Sequence, residues 1–143
     1  MKVPLRRLDA TLPLPTYAHE DDAGSDLLAA RDVTLKPGER AAVPTGVALA
    51  IPKGYAGFVH ARSGRALEEG LAVVNAPGVV DSGYRGELKV IVVNLDPSSP
   101  IYIARGEKVA QLVVLRVEHV DLEDVGELPE SRRGDGGFGS TGR

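Results

Sequence analysis

At 143 residues, with a formal net charge of −3 and no cysteine, the chain is sized for one domain with a core of its own. The missing cysteines exclude disulfides, thiolate metal centres and cysteine nucleophiles, and fit a reducing compartment. The negative charge argues against stable, non-specific nucleic-acid binding. Apolar residues make up 43% and aromatics 4%, with no Trp, so the core must be aliphatic. The longest apolar runs, such as Val109–Leu115, are too short to span a bilayer. No basic segment followed by an apolar one opens the chain, so neither a signal peptide nor membrane association is expected, and the location expected is cytoplasmic.

In chain order, the first acids, Glu20, Asp21 and Asp22, lack calcium-loop spacing and read as solvated loop charges. Asp26 follows, flanked by Gly24 and by Leu27 and Leu28, a turn acid at the start of a strand. Short β-like runs come next at Val33–Leu35, Ala41–Val43, Val47–Ile51 and Gly57–Ala61. Turn chemistry at Lys36-Pro-Gly-Glu and Pro52-Lys-Gly-Tyr separates them. Ser63–Gly70 is the one helical window, with Ser63 as N-cap and Gly70 as the stop. Taken alone, Arg62-Ser63-Gly64 reads first as an ordinary N-cap beside a surface arginine. The same residues also offer a guanidinium fork, a hydroxyl and free amides to a phosphate.

The segment Asn75-Ala-Pro-Gly-Val-Val-Asp-Ser-Gly-Tyr-Arg-Gly-Glu87 is the most informative. It sets Asp81 on a turn between apolar runs, Leu71–Val74 with Val79–Val80 before it and Leu88–Leu95 after it. Pro77, Gly78, Gly83 and Gly86 punctuate it, which predicts a tight hairpin. Backbone groups at the mouth of such a hairpin can read the edge of a flat heterocycle. Asp81 then supplies a base and Tyr84 a flat surface; their structural alternatives are a turn-capping aspartate and a core aromatic.

Lys89–Leu95 is nearly all apolar, as for a strand buried on both faces. Ile101–Ile103 and Val109–Val117 complete the strands, joined through Ala104-Arg-Gly-Glu. Gln111 is a polar residue inside an apolar run, so its amide either closes a structural hydrogen-bond pair or faces a ligand. His19, His60 and His119 form no ligand spacing, which leaves a zinc site without support. The end, Gly134-Asp-Gly-Gly-Phe-Gly-Ser-Thr-Gly-Arg, is too rich in glycine to offset ordering entropy and is expected to be mobile when free. Many short strands with one short helix predict an all-β sandwich, jelly roll or barrel.

Five segments together resemble the trimeric dUTP diphosphatase (dUTPase) family, in that family's order. Ala23-Gly-Ser-Asp-Leu-Leu-Ala-Ala looks like its first motif and Ala61-Arg-Ser-Gly-Arg-Ala its second. The Asp81 segment looks like the third, Gly106-Glu-Lys-Val-Ala-Gln-Leu the fourth, and Arg133-Gly-Asp-Gly-Gly-Phe-Gly-Ser-Thr-Gly the fifth. The resemblance runs from about Leu8 to Gly142.

The resemblance implies a distorted jelly-roll or β-barrel domain over residues 1–133 and a tail, residues 134–143, that closes over the active site. It implies hydrolysis of dUTP to dUMP and pyrophosphate, which keeps uracil out of DNA and supplies dUMP for thymidylate synthesis. Asp81 would be the general base, with Gln111 touching a phosphate or the attacking water. Asn75, Val79 and Val80 would recognise the uracil edge with Lys89 nearby, and Tyr84 would lie against the deoxyribose. Arg62, Ser63 and Gly64 would bind phosphate, with Arg133, Phe138, Gly139, Ser140 and Thr141 of the tail. Mg2+ is the implied cofactor, held mainly by the triphosphate and met by Asp26 through water. The implied assembly is a homotrimer with shared active sites.

Several residues depart from the family's pattern. Ala61 stands where proline is usual, Arg65 where an apolar residue is common, Val79-Val80 in place of Thr-Ile, and Gly83 where an acid is frequent. Two other readings compete with this one. A dCTP deaminase-type relative would need a catalytic glutamate near Ile91, which Ile91 does not supply. A catalytically silent trimeric nucleotide-binding or regulatory module would have no need to keep Asp81, Gln111 and the tail together.

Overall fold

The structure, a computed structural model, describes residues 1–137. Among the described residues, ten strands and one helix make two four-stranded antiparallel sheets and a two-stranded one. The first sheet has the order β1 (Leu5–Arg7), β4 (Arg40–Leu49), β8 (Glu87–Asn94), β6 (Leu71–Val73). The second has the order β2 (Ser25–Leu28), β10 (Lys108–Arg116), β5 (Tyr55–His60), β7 (Gly78–Val80). β3 (Val33–Leu35) and β9 (Ile101–Ile103) form the small sheet. The all-β jelly-roll or barrel expectation is met, and the core is aliphatic as the composition requires: Leu27, Val43, Val59, Val90, Val92, Val109 and Leu112 are buried together.

One buried polar side chain ties the small sheet to a large one. Asn94, fully buried at the end of β8, donates from Nδ2 to the carbonyls of Leu35 and Ser99, both at 2.9 Å. Its Oδ1 accepts the Asp96 N–H at 2.8 Å. All its main polar atoms are satisfied, so its burial costs little.

The two runs read as Ala41–Val43 and Val47–Ile51 are one strand, β4, with a register shift between Pro44 and Ala48. Pro44 has no N–H for the ladder, and the Thr45 hydroxyl donates to the Leu88 carbonyl at 2.7 Å across the gap.

Three sequence expectations need correction. The helix α1 spans Ser63–Glu69, and its N-cap is Arg62, not Ser63; no side-chain bond closes that cap. Arg62 is the last extended residue, its guanidinium reaching across to Asp26. Gly70 does stop the helix, in the left-handed conformation at φ 71°. Secondly, Asn75–Glu87 is not a tight hairpin. β8 already has β4 and β6 as neighbours, so β7 has no free edge there and pairs with β5 in the other sheet. The segment is therefore a crossover between sheets. Thirdly, β8 is buried on one face only: Leu88, Val90 and Val92 point inward, whereas Lys89 and Ile91 are exposed in the single chain.

Beyond β10 the described residues continue without strand or helix to residue 137, largely exposed. Among the described residues, no helix is long and apolar enough to cross a membrane.

A polar clip fastens the N-terminal segment to the β9–β10 turn. Asp9 accepts from the Thr11 hydroxyl and from Arg105 Nη2, both at 2.7 Å, and from the Thr11 N–H at 3.0 Å. The Thr11 hydroxyl first, then the Arg105 guanidinium, lower its pKa from an ordinary 3.8 to about 2. Because the folded-state value is depressed, this stabilisation is full above the unfolded value and is lost as pH falls through the folded one. Asp9→Asn is therefore expected to lower the Tm at neutral pH, with the difference shrinking from about pH 4 and gone below about pH 2. Thermal unfolding of both proteins across that range checks it.

Candidate active site

The predicted phosphate residues converge on one face of the second sheet. In the β2–β10 register Asp26 lies opposite Gln111, and Gln111 also lies opposite His60 on β5. The chain leaves β5 through Ala61 and Arg62 into α1, which brings Arg62, Ser63 and Gly64 to the rim of the same cleft. That cleft, about 490 Å³, is lined by Gly24, Asp26, Arg62, Ser63, Gly64 and Gln111 among others.

Asp26 is its electrostatic centre. Its side chain is only 11% exposed and carries two ion pairs, one with Arg62 Nη1 and one with Lys108 Nζ at 2.7 Å. Burying a carboxylate without partners is costly; the two cations offset that cost, and the pairing fixes their positions in turn. Gln111 is also held: its Nε2 donates to the Ala61 carbonyl at 3.0 Å. Arg65 packs under the helix, bonded to both carboxylate oxygens of Glu69 at 3.0 and 2.7 Å and to the Tyr102 carbonyl at 3.2 Å. Lys108 was not singled out from the sequence, although it lies within the fourth motif. Its signal was its place three residues before Gln111 on a strand whose neighbour carries Asp26.

The predicted base-recognition residues line a different cleft of about 440 Å³. Val79, Val80, Asp81 and Tyr84 form one wall, and Lys89, Ile91 and Ala42, outward on β8 and β4, form the other. Asp81 is exposed, and its carbonyl accepts the Tyr84 N–H at 3.1 Å, which closes the turn. The Tyr84 ring is half exposed rather than a core aromatic, its hydroxyl bonded to the Glu87 carbonyl at 3.0 Å. The other acid here, Glu87, has Oε1 engaged by the Gly46 N–H at 2.9 Å. Asn75 does not line this cleft; its amide packs beside Gly78, next to Val79.

The structure thus brings together two groups, and it does not join them. Val80 pairs with Gly57, and the register continued by one residue sets Asp81 level with Ala56, which pairs with Leu115, two strands and four residues away from Gln111. At strand spacings near 4.8 Å and rises near 3.3 Å, that is a backbone separation of about 16 Å. Arg133 reaches neither cleft; its Nε donates to the Gly136 carbonyl at 2.8 Å. Phe138, Gly139, Ser140 and Thr141 lie outside the described residues. Among the described residues, no group of three or more His, Cys, Asp or Glu could hold a metal ion.

A family model described as dUTPase matches residues 10–142. A deoxyuridine 5'-triphosphate nucleotidohydrolase of Thermobifida fusca is 59% identical over 142 residues, covering 99% of this chain and 79% of that protein. The solved dUTPase of Staphylococcus bacteriophage 80alpha with dUPNHPP superposes at TM-score 0.92, with 30% identity over 99% of each chain. A mutant dUTPase from phage phi11 of S. aureus, described as coordinating a structural Mg(II) ion, superposes at TM-score 0.82, with 28% identity over 89% of this chain and 98% of that one. The chain belongs to the dUTPase family.

The Asp26 pairs generate a stability prediction. Asp26→Asn leaves Arg62 and Lys108 without a counter-charge, but both are partly exposed, at 30% and 47%, so solvent limits the loss. The expected decrease in unfolding free energy is about 1–2 kcal/mol, read from urea midpoints at unchanged slope.

Proposed function

We propose that the hydrolysis of dUTP to dUMP and pyrophosphate is carried out here at sites built from more than one copy of the chain. The observation that carries this reading is the separation of the two clefts. Asp81 and Gln111, whose backbones are about 16 Å apart on one chain, do not bring a base and an amide to a single water. A cleft from one copy set against a cleft from the next removes that distance. The outward Ile91 and Val74, 39% and 50% exposed, give such a contact apolar surface to cover. The assembly proposed is a homotrimer, acting on the cytoplasmic nucleotide pool.

Asp81 takes a proton from the attacking water, whose oxygen bonds to the α-phosphorus. The bond from that phosphorus to the bridging oxygen breaks, and pyrophosphate leaves with the electron pair. Gln111 steadies the water and the α-phosphoryl group. Arg62, Ser63, Gly64 and Lys108 hold the phosphates and spread the charge that develops on the leaving group. In the free protein Asp26 occupies Arg62 and Lys108, so the triphosphate competes with a carboxylate already in place.

The donor set suits a magnesium ion carried by the substrate. Asp22, Asp26 and Glu68 line the phosphate cleft, but no three such groups among the described residues could hold an ion, and Asp26 is paired with Arg62 and Lys108, so phosphate oxygens would supply the inner ligands and Asp26 would meet the ion through water. When bound, the ion neutralises charge on the three phosphates. Backbone groups of Val79–Asp81, with Asn75 behind the turn, read the uracil edge, and the narrow cleft rejects the methyl of thymine. Tyr84 covers the deoxyribose and leaves no room for a 2′-hydroxyl. Residues 134–143, rich in glycine, close over the bound nucleotide.

Deamination of dCTP is not favoured. The outward wall of the base cleft carries Ile91, with no acid to activate water, and Glu87 is committed to the Gly46 N–H. Pyrophosphate release from dUTP tests the reading: Asp81→Asn is expected to lower kcat by about 10²–10⁴ while leaving the Tm and sedimentation of the assembly unchanged. Turnover within a few-fold of the parent protein would remove Asp81 from the reaction.

A further inference from the structure

We infer that Gly24 is a positioning residue for Gln111, acting through the space it leaves; this rests on the reading of Gln111 given above. Gly24 lies just before β2, two residues ahead of Asp26, which pairs with Gln111 in the ladder. Both residues line the phosphate cleft. The Gln111 side chain folds directly over Gly24. A Cβ at residue 24 would stand 2.5 Å from Gln111 Oε1 and 3.1 Å from both its Cβ and its Cδ.

Backbone conformation does not explain this glycine, because Gly24 is not among the residues with positive φ. What the position requires is the absence of a side chain. The Gln111 amide is held at one end, where Nε2 donates to the Ala61 carbonyl at 3.0 Å, and its oxygen occupies the space that a Cβ at residue 24 would fill. The bare position at residue 24 lets the amide lie where that hydrogen bond directs it, with one N–H and the carbonyl lone pairs as the free functions of the group. A methyl at residue 24 forces the amide aside, and the 3.1 Å approach to Cβ prevents the tip from absorbing the whole shift. Displacement of a positioning group by about 1 Å is enough to cost on the order of 10²-fold in rate.

Steady-state kinetics of Gly24→Ala, Gln111→Ala and the double variant test the inference. Gly24→Ala is expected to lose about 10²-fold in turnover, divided between kcat and KM as in Gln111→Ala. The double variant is expected to be within about 3-fold of Gln111→Ala, because the two changes remove one function. Losses that multiply in the double variant, or wild-type turnover in Gly24→Ala, would overturn the inference. Wild-type turnover in Gln111→Ala would instead remove the reading of Gln111 on which it stands. If Gly24→Ala does not fold, a folded double variant with the turnover of Gln111→Ala supports the inference, and a double variant that also fails to fold overturns it.

Discussion

The register of the second sheet is the constraint on which the site depends. β5 stands between β10, which carries Gln111, and β7, which ends one residue before Asp81, so those two strands never touch. Hydrogen-bond pairing on both sides of β5 fixes the offset as firmly as the spacing, since a one-residue slip would turn the buried face of β10 outward. Neither side-chain rotation nor loop motion of ordinary size closes a gap of about 16 Å. A protein built this way handles its nucleotide either in halves or between copies.

Within the phosphate half, Asp26 organises the charges. It is nearly buried and holds Arg62 and Lys108, and the chain between Ala61 and Ser63 follows from that pairing. The cost of keeping a carboxylate out of water is offset only while the cations stay, so the basic rim is ordered before any ligand arrives. Preordering of this kind saves the entropy of fixing two long side chains on binding. With its side chain turned to Asp26, Arg62 stands as N-cap of a helix that begins at Ser63 and makes no side-chain cap bond.

Much of the chemistry was legible in the sequence because it is local. Asp26, Arg62-Ser63-Gly64, Asp81-Ser-Gly-Tyr84 and Gln111 lie in short segments whose spacing survives folding, and the structure gathers them into two clefts. The class of fold followed from Gly/Pro punctuation between aliphatic runs. What was not legible is non-local. The sequence of Asn75–Glu87 has the turn residues of a hairpin, and only the occupancy of both edges of β8 by β4 and β6 sends β7 to the other sheet. Lys89–Leu95 has the apolar content of a strand covered on both faces, yet one chain covers only one of them. Ser63 looked like a cap because the pull of Asp26 on Arg62 comes from thirty-six residues away. Lys108 and Gly24 lay inside motifs already in view, but their partners became visible only across the β2–β10 ladder.

The division of the site between copies is tested most directly by complementation. Asp81→Asn and Gln111→Ala, each of low turnover alone, are co-expressed and the mixed assembly is isolated and assayed on dUTP. With random 1:1 mixing, a site that takes Asp81 from one copy and Gln111 from another is intact in about a quarter of cases, so roughly a quarter of wild-type turnover is predicted. Turnover no higher than that of the two variants alone would contradict a shared site.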